Sequence, residues 1–125
     1  MTRVLIVDDA IDLGRMLQDA LKVTRPEIPI TVVPSAEEAL LESTRYTFDL
    51  LVTDLRLPGM SGLELISKIR LRQPGIKVIL ITALTPEDRL FRLKEEVHPD
   101  IFIRKPISIA NFLESVVNLI GAQPP

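Results

Sequence analysis

The sequence predicts an α/β fold in which a doubly wound, five-stranded parallel sheet is covered by five helices. Three observations carry that reading. Short apolar runs rich in β-branched residues recur at Val4–Val7, Ile30–Val33, 48–53, 78–81 and 101–103. They are apolar at consecutive rather than alternate positions, the pattern of strands buried on both faces. Longer segments of helical period separate them, and strict alternation of strand and helix leads to right-handed βαβ crossovers.

Each element has its own local warrant. The first strand ends in Asp8-Asp9 and is followed by a helical stripe of Ile11, Leu13, Met16, Leu17, Ala20 and Leu21. The second strand leads to Ser35-Ala36-Glu37-Glu38, which has the spacing of a capping box. The third runs into Asp54, and Pro58-Gly59 then supplies a turn that stops it. Leu63, Ile66, Ile69 and Arg70 form the next, shorter stripe, and the fourth strand ends in Thr82-Ala83. A fourth helix over 85–97 opens with Thr85-Pro86-Glu87-Asp88: a cap, a proline at the first helical position and first-turn acids. Its apolar face is thin, with Leu90, Phe91 and Leu93 among many charges. Lys105-Pro106 follows the fifth strand. Ser108 caps the last helix, whose stripe of Leu113, Val116, Val117 and Ile120 closes at Gly121.

Composition removes several function classes. A chain of 125 residues with 46% hydrophobic content supplies one domain and one core. A net charge of −2 gives no electrostatic footprint for direct nucleic-acid binding. The absence of cysteine excludes disulfides, thiolate metal sites and cysteine nucleophiles together. The start MTRVLIVDDA offers only a four-residue apolar run, neither a secretory signal nor a membrane span, so a cytoplasmic protein away from membranes is expected. The folded unit is expected over residues 1–120, with 121–125 (GAQPP) a linker stub or the end of an expressed piece.

In a sheet of order 2-1-3-4-5, the flavodoxin-like arrangement, strands one and three are neighbours and ligands bind outside the carboxyl ends where strand order reverses. That brings Asp8, Asp9 and Asp54 to one pocket, flanked by Thr82 and Lys105. Three crowded carboxylates ionise together only if a cation joins them. With oxygen ligands alone, that cation is Mg²⁺ rather than zinc or copper. A hydroxyl and an ammonium opposite the metal would bind phosphoryl oxygens, and an aspartate on an exposed turn could be the nucleophile that forms an aspartyl phosphate. Singly, these residues have ordinary explanations as helix-dipole partners, turn acids and loop residues. Their convergence on one sheet edge favours a single phosphoacceptor site with Asp54 as acceptor. His98, the sole histidine, precedes Pro99 in a loop and is assigned no role.

Four stretches then resemble a known family, the receiver domains of two-component response regulators, over residues 3 to about 120. LIVDDA is similar to the family's acidic pair, DLRLPGMSGLEL to its phosphoacceptor strand and loop, VILITAL to its switch strand, and DIFIRKP to its last strand with lysine-proline. The resemblance implies that Asp54 is phosphorylated, from a phosphohistidine on a sensor histidine kinase or histidine phosphotransfer protein. It implies that Asp9, Asp54 and the backbone carbonyl of Arg56 ligate Mg²⁺, with Asp8 acting largely through water. Lys105 would pair with the phosphoryl group, Thr82 would swing toward it, and Phe102 would turn inward as Thr82 vacates space. Pro106 would follow a cis peptide bond that fixes where Lys105 points. The protein would be a signalling switch rather than an enzyme with turnover. An output domain after residue 125 and a homodimer through the fourth helix, fifth strand and fifth helix are further expectations.

Departures from the family pattern concern tuning. Ala10 stands where a third acid is common, and Val97-His98-Pro99 replaces a small pair before the last strand. Arg56 and Leu84 put bulk beside the phosphoryl position, which predicts a long-lived phosphoprotein. Two other functions fit the sequence less well. A small Mg²⁺-dependent phosphohydrolase shares the aspartyl-phosphate chemistry, but the chain has no second acid at the usual spacing after strand one and no room for a substrate cap. A flavin or nucleotide module needs a glycine- or hydroxyl-rich loop where Asp8-Asp9-Ala10 would repel phosphate.

Overall fold

Alternate residues of each strand face opposite sides of one sheet, and the two sides make two cores. The computed structural model describes residues 2–83 and 97–121. It contains strands β1 (Val4–Val7), β2 (Ile30–Val33), β3 (Leu50–Asp54), β4 (Lys77–Thr82) and β5 (Ile101–Arg104). Helices α1 (Ile11–Thr24), α2 (Ala36–Ser43), α3 (Gly62–Arg72) and α4 (Ile109–Ile120) alternate with them. The strands are parallel and ordered β2-β1-β3-β4-β5. The helix expected over 85–97 lies, but for Val97, outside the described residues, as does Leu84.

Val4 and Ile6 of β1, Leu50 and Val52 of β3, and Ile79 and Ile81 of β4 pack with Leu17 and Leu21 of α1 and Phe112 and Val116 of α4. Leu5, Val7, Leu51, Val78 and Leu80 pack on the other side with Ala36 and Ala39 of α2 and Leu63, Leu65, Ile66 and Ile69 of α3. A strand buried on both faces must be apolar at every position, which is why the consecutive runs were readable. Truncating a filled core position such as the wholly buried Phe112 to alanine costs about 3–5 kcal/mol.

Helix starts follow the local sequence. Ser35, Ser61 and Ser108 each accept a hydrogen bond from the backbone N–H three residues on, at 3.2 Å, closing the first turns of α2, α3 and α4. Gly121 ends α4 with a φ of 87°.

Three expectations are corrected by packing. Strand three begins at Leu50 rather than residue 48, because the Phe48 N–H donates to Gln73 Oε1 and the Asp49 N–H to the Arg3 carbonyl. In α1, Ile11 and Met16 are 50% and 44% exposed, so they lie off the buried stripe, while Gly14 is buried. In α4, Val117 is 40% exposed and Phe112 takes the central position instead.

Candidate functional site

Parallel register sets the site's geometry. Val7 pairs with Thr53, so the next residues, Asp8 and Asp54, stand side by side at the carboxyl ends of β1 and β3. Thr82 pairs with Arg104, which puts Lys105 just beyond the end of β5. Carboxylate oxygens of Asp8, Asp9 and Asp54 all lie within 4.8 Å of one another. Asp8 and Asp54 are buried and Asp9 is exposed.

Every carboxylate oxygen with a fixed direction has a reason for it. Asp8 Oδ1 accepts from the Ala10 N–H at 2.7 Å, and Asp54 Oδ1 from the Arg56 N–H at 3.0 Å. Both are turns in which an aspartate holds the backbone two residues on. Lys105 Nζ donates to Asp54 Oδ2 at 2.5 Å and stands 3.9 Å from Asp8 Oδ2. The Lys105 N–H donates to the Thr82 carbonyl at 2.8 Å, and the Lys105–Pro106 bond is cis.

The electrostatics follow from burial and crowding. Burial pushes the Asp8 carboxyl up from its ordinary 3.8, the Ala10 N–H and Lys105 oppose that, and Asp54 and Asp9 add to it. For Lys105, burial works against the charge. The hydrogen bond and attraction of Asp54, then Asp8 and Asp9, outweigh it and hold the ammonium above 10.5. Among the described residues, three carboxylates against one ammonium leave the pocket negative, and the donors there are oxygen atoms. That set fits a hard divalent cation.

A model of the response regulator receiver domain matches residues 4–117. The chain belongs to that family. Response regulator ArlR of Staphylococcus aureus is 31% identical over 125 residues, covering 99% of this chain and 55% of that protein. A response regulator receiver protein of Anaeromyxobacter sp. (strain Fw109-5) is 33% identical over 114 residues, 91% of this chain and 47% of that protein. This receiver domain therefore spans about half the length of the curated relatives it matches.

Among solved structures, a CheY-like receiver domain from Methanospirillum hungatei superposes with a TM-score of 0.84 at 26% identity, covering 94% of this chain and 92% of that one. Response regulator TrrA from Thermotoga maritima, in complex with Mg²⁺–BeF, gives 0.80 at 29% identity, covering 95% and 99%. The doubly wound fold read from the sequence is the fold of these receiver domains.

Of the residues singled out by sequence, this receiver domain gathers Asp8, Asp9, Asp54 and Lys105 into one contact network. Thr82 lies buried at the end of β4, next to the strand that carries Lys105. Phe102 is partly buried against the core on the α2–α3 side. Arg56 contributes its N–H to Asp54, and its side chain is exposed. His98 lies before β5, at the other end of that strand from Lys105.

Sequence reading passed over two supports of the site. Thr53, wholly buried, donates its hydroxyl to the Asp54 carbonyl at 2.9 Å. Gly62, the first residue of α3, donates its N–H to the Leu55 carbonyl at 2.8 Å. Ser61-Gly62-Leu63-Glu64 carries capping-box spacing, so the start of α3 was legible though its contact with Asp54 was not.

Proposed function

We propose that this receiver domain, residues 1–120, is a phosphorylation-dependent switch that accepts a phosphoryl group on Asp54. The observation that carries the reading is Lys105 Nζ on Asp54 Oδ2, beside Asp8 and Asp9, at the carboxyl edge of the sheet. A Mg²⁺ ion held by Asp8, Asp9, Asp54 and the Arg56 carbonyl would neutralise the incoming phosphoryl oxygens. The donor is a phosphohistidine on a sensor kinase or phosphotransfer protein. An Asp54 oxygen forms the new O–P bond as the P–N bond breaks and its electron pair stays on the imidazole nitrogen. Lys105 exchanges its bond to Asp54 for one to the phosphoryl group, whose charge it offsets.

Thr82 turns its hydroxyl toward the new group, Phe102 moves into the space it leaves, and the state with both Thr82 and Lys105 engaged becomes dominant. The readers of that state are an output domain carried beyond residue 125, or a second copy meeting the face of β5 and α4. The reaction is a single transfer followed by hydrolysis of the aspartyl phosphate, which restores Asp54 and releases inorganic phosphate, in the cytoplasm, without turnover of a small substrate. No helix among the described residues is long and apolar enough to cross a membrane.

Intact-mass measurement after incubation with acetyl phosphate, with and without Mg²⁺, tests the proposal. One Mg²⁺-dependent phosphoryl addition on the wild type and none on Asp54→Asn is the expected result. Unmodified wild-type protein under every condition would overturn it, and catalytic release of phosphate from small esters would favour the phosphohydrolase.

A further inference from the structure

The backbone of Asp54 is held from two sides. The Thr53 hydroxyl takes one approach to its carbonyl oxygen. The first turn of α3 closes the other, so tightly that a Cβ built on Gly62 would lie 2.1 Å from the Asp54 carbonyl oxygen. The same Cβ would stand 3.0 Å from the Asp54 carbonyl carbon and 3.0 Å from the Leu55 Cα. All three are backbone atoms, which cannot rotate aside as a side-chain tip can. The Leu55 peptide is tied down as well, its N–H to the Ile81 carbonyl at 3.0 Å and its carbonyl to the Gly62 N–H at 2.8 Å. Only a residue without a Cβ lets α3 dock there.

We propose that Gly62 is a positioning residue for phosphoryl transfer: by seating α3 against the Asp54 backbone, it sets how far the acceptor carboxylate stands from Lys105 and the metal-binding acids. The proposal rests on the reading of Asp54 as acceptor. A side chain at 62 forces the strand end and the helix apart by about 1.3 Å, the step from 2.1 Å to an ordinary 3.4 Å contact. A misplacement of about 1 Å in a positioned reactant can cost on the order of a hundredfold in rate.

The test compares Gly62→Ala with Ser61→Ala, which removes the cap of α3 without approaching Asp54. Both are melted, and both are phosphorylated across a range of acetyl phosphate concentrations at saturating Mg²⁺. Gly62→Ala is expected to lower the maximal rate about a hundredfold. Ser61→Ala is expected to lose stability and keep the wild-type rate. Rates that follow loss of melting temperature in both variants, or a wild-type rate in Gly62→Ala, would overturn the proposal.

If Gly62→Ala melts too low to assay, an osmolyte such as trimethylamine oxide restores the folded state without relieving the backbone contact. A wild type that takes no phosphoryl group would sink the acceptor reading and leave the placement to be read directly. The backbone amide resonances of Leu55 and Arg56 must then move in Gly62→Ala and stay in Ser61→Ala. Unmoved resonances would refute the positioning role.

Discussion

Lys105 Nζ stands 2.5 Å from Asp54 Oδ2 although the two residues are 51 apart in sequence. β4 separates β3 from β5 in the sheet, so the ammonium passes the end of a strand to reach its partner. Among the described residues it is the ammonium that faces the three clustered carboxylates, and it holds Asp54 Oδ2.

Lys105→Met should therefore bind Mg²⁺ more tightly than the wild type, several-fold in a titration followed by calorimetry, because a competing cation is gone. The raised Lys105 ammonium adds stability that is complete below 10.5 and is lost as pH climbs through its higher folded value. Urea midpoints of the wild type should fall across that alkaline window. Those of Lys105→Met should lack this part of the decline, and parallel curves would contradict the assignment.

Asp8→Asn should melt higher than the wild type in the presence of a chelator at neutral pH. The folded Asp8 holds its proton above the ordinary 3.8, so ionising it costs stability as pH rises from 3.8 through the folded value. Asparagine keeps the acceptor for the Ala10 N–H and removes the charge. The gain should vanish below pH 3.8, where the carboxyl is protonated in both states. Saturating Mg²⁺ should reverse the order, since a ligand that binds the folded state stabilises it by about 2.7 kcal/mol at a hundred times its Kd and the variant has lost one of the proposed site's three carboxylate charges.

Arg70→Met should cost about 1–3 kcal/mol in a urea melt while leaving Mg²⁺ binding intact. The Arg70 guanidinium donates to the carbonyls of Val97 and His98, the latter at 2.9 Å, and lies 3.9 Å from Asp100. Asp100 in turn accepts the Val78 N–H at 2.8 Å, so the clamp aligns the start of β5 on β4. A change in Mg²⁺ affinity would show that the clamp reaches the site.

The phosphorylated protein should lose its phosphoryl group slowly at neutral pH, and Arg56→Asn should shorten its lifetime. Arg56 follows Asp54 by two residues, and its long side chain can screen the acyl phosphate from water. Timed intact-mass spectra of both proteins decide the matter; equal lifetimes would remove Arg56 from the account.

The sequence alone was enough for the existence and order of the strands, the helix caps at Ser35 and Ser108, and the placement of Asp8 and Asp54 at strand ends. These depend on neighbours along the chain: a strand buried on both faces reads as a run of consecutive apolar residues, a cap must reach an N–H three residues on, and the ends of β1 and β3 are marked where the apolar run meets an acid. Tertiary structure decided the rest. Ile11 and Met16 fit a helical stripe, yet α1 turns Gly14 inward, where a Cβ would lie 2.8 Å from Val32 Cγ1 of β2. Arg70 counted as the edge of an apolar stripe and proved to be a polar clamp on a turn 27 residues away. Lys105 on Asp54, and Gly62 against the Asp54 carbonyl, are meetings of residues whose separation in space is set by register and helix docking. No local propensity encodes such a distance, so only the assembled sheet could fix it.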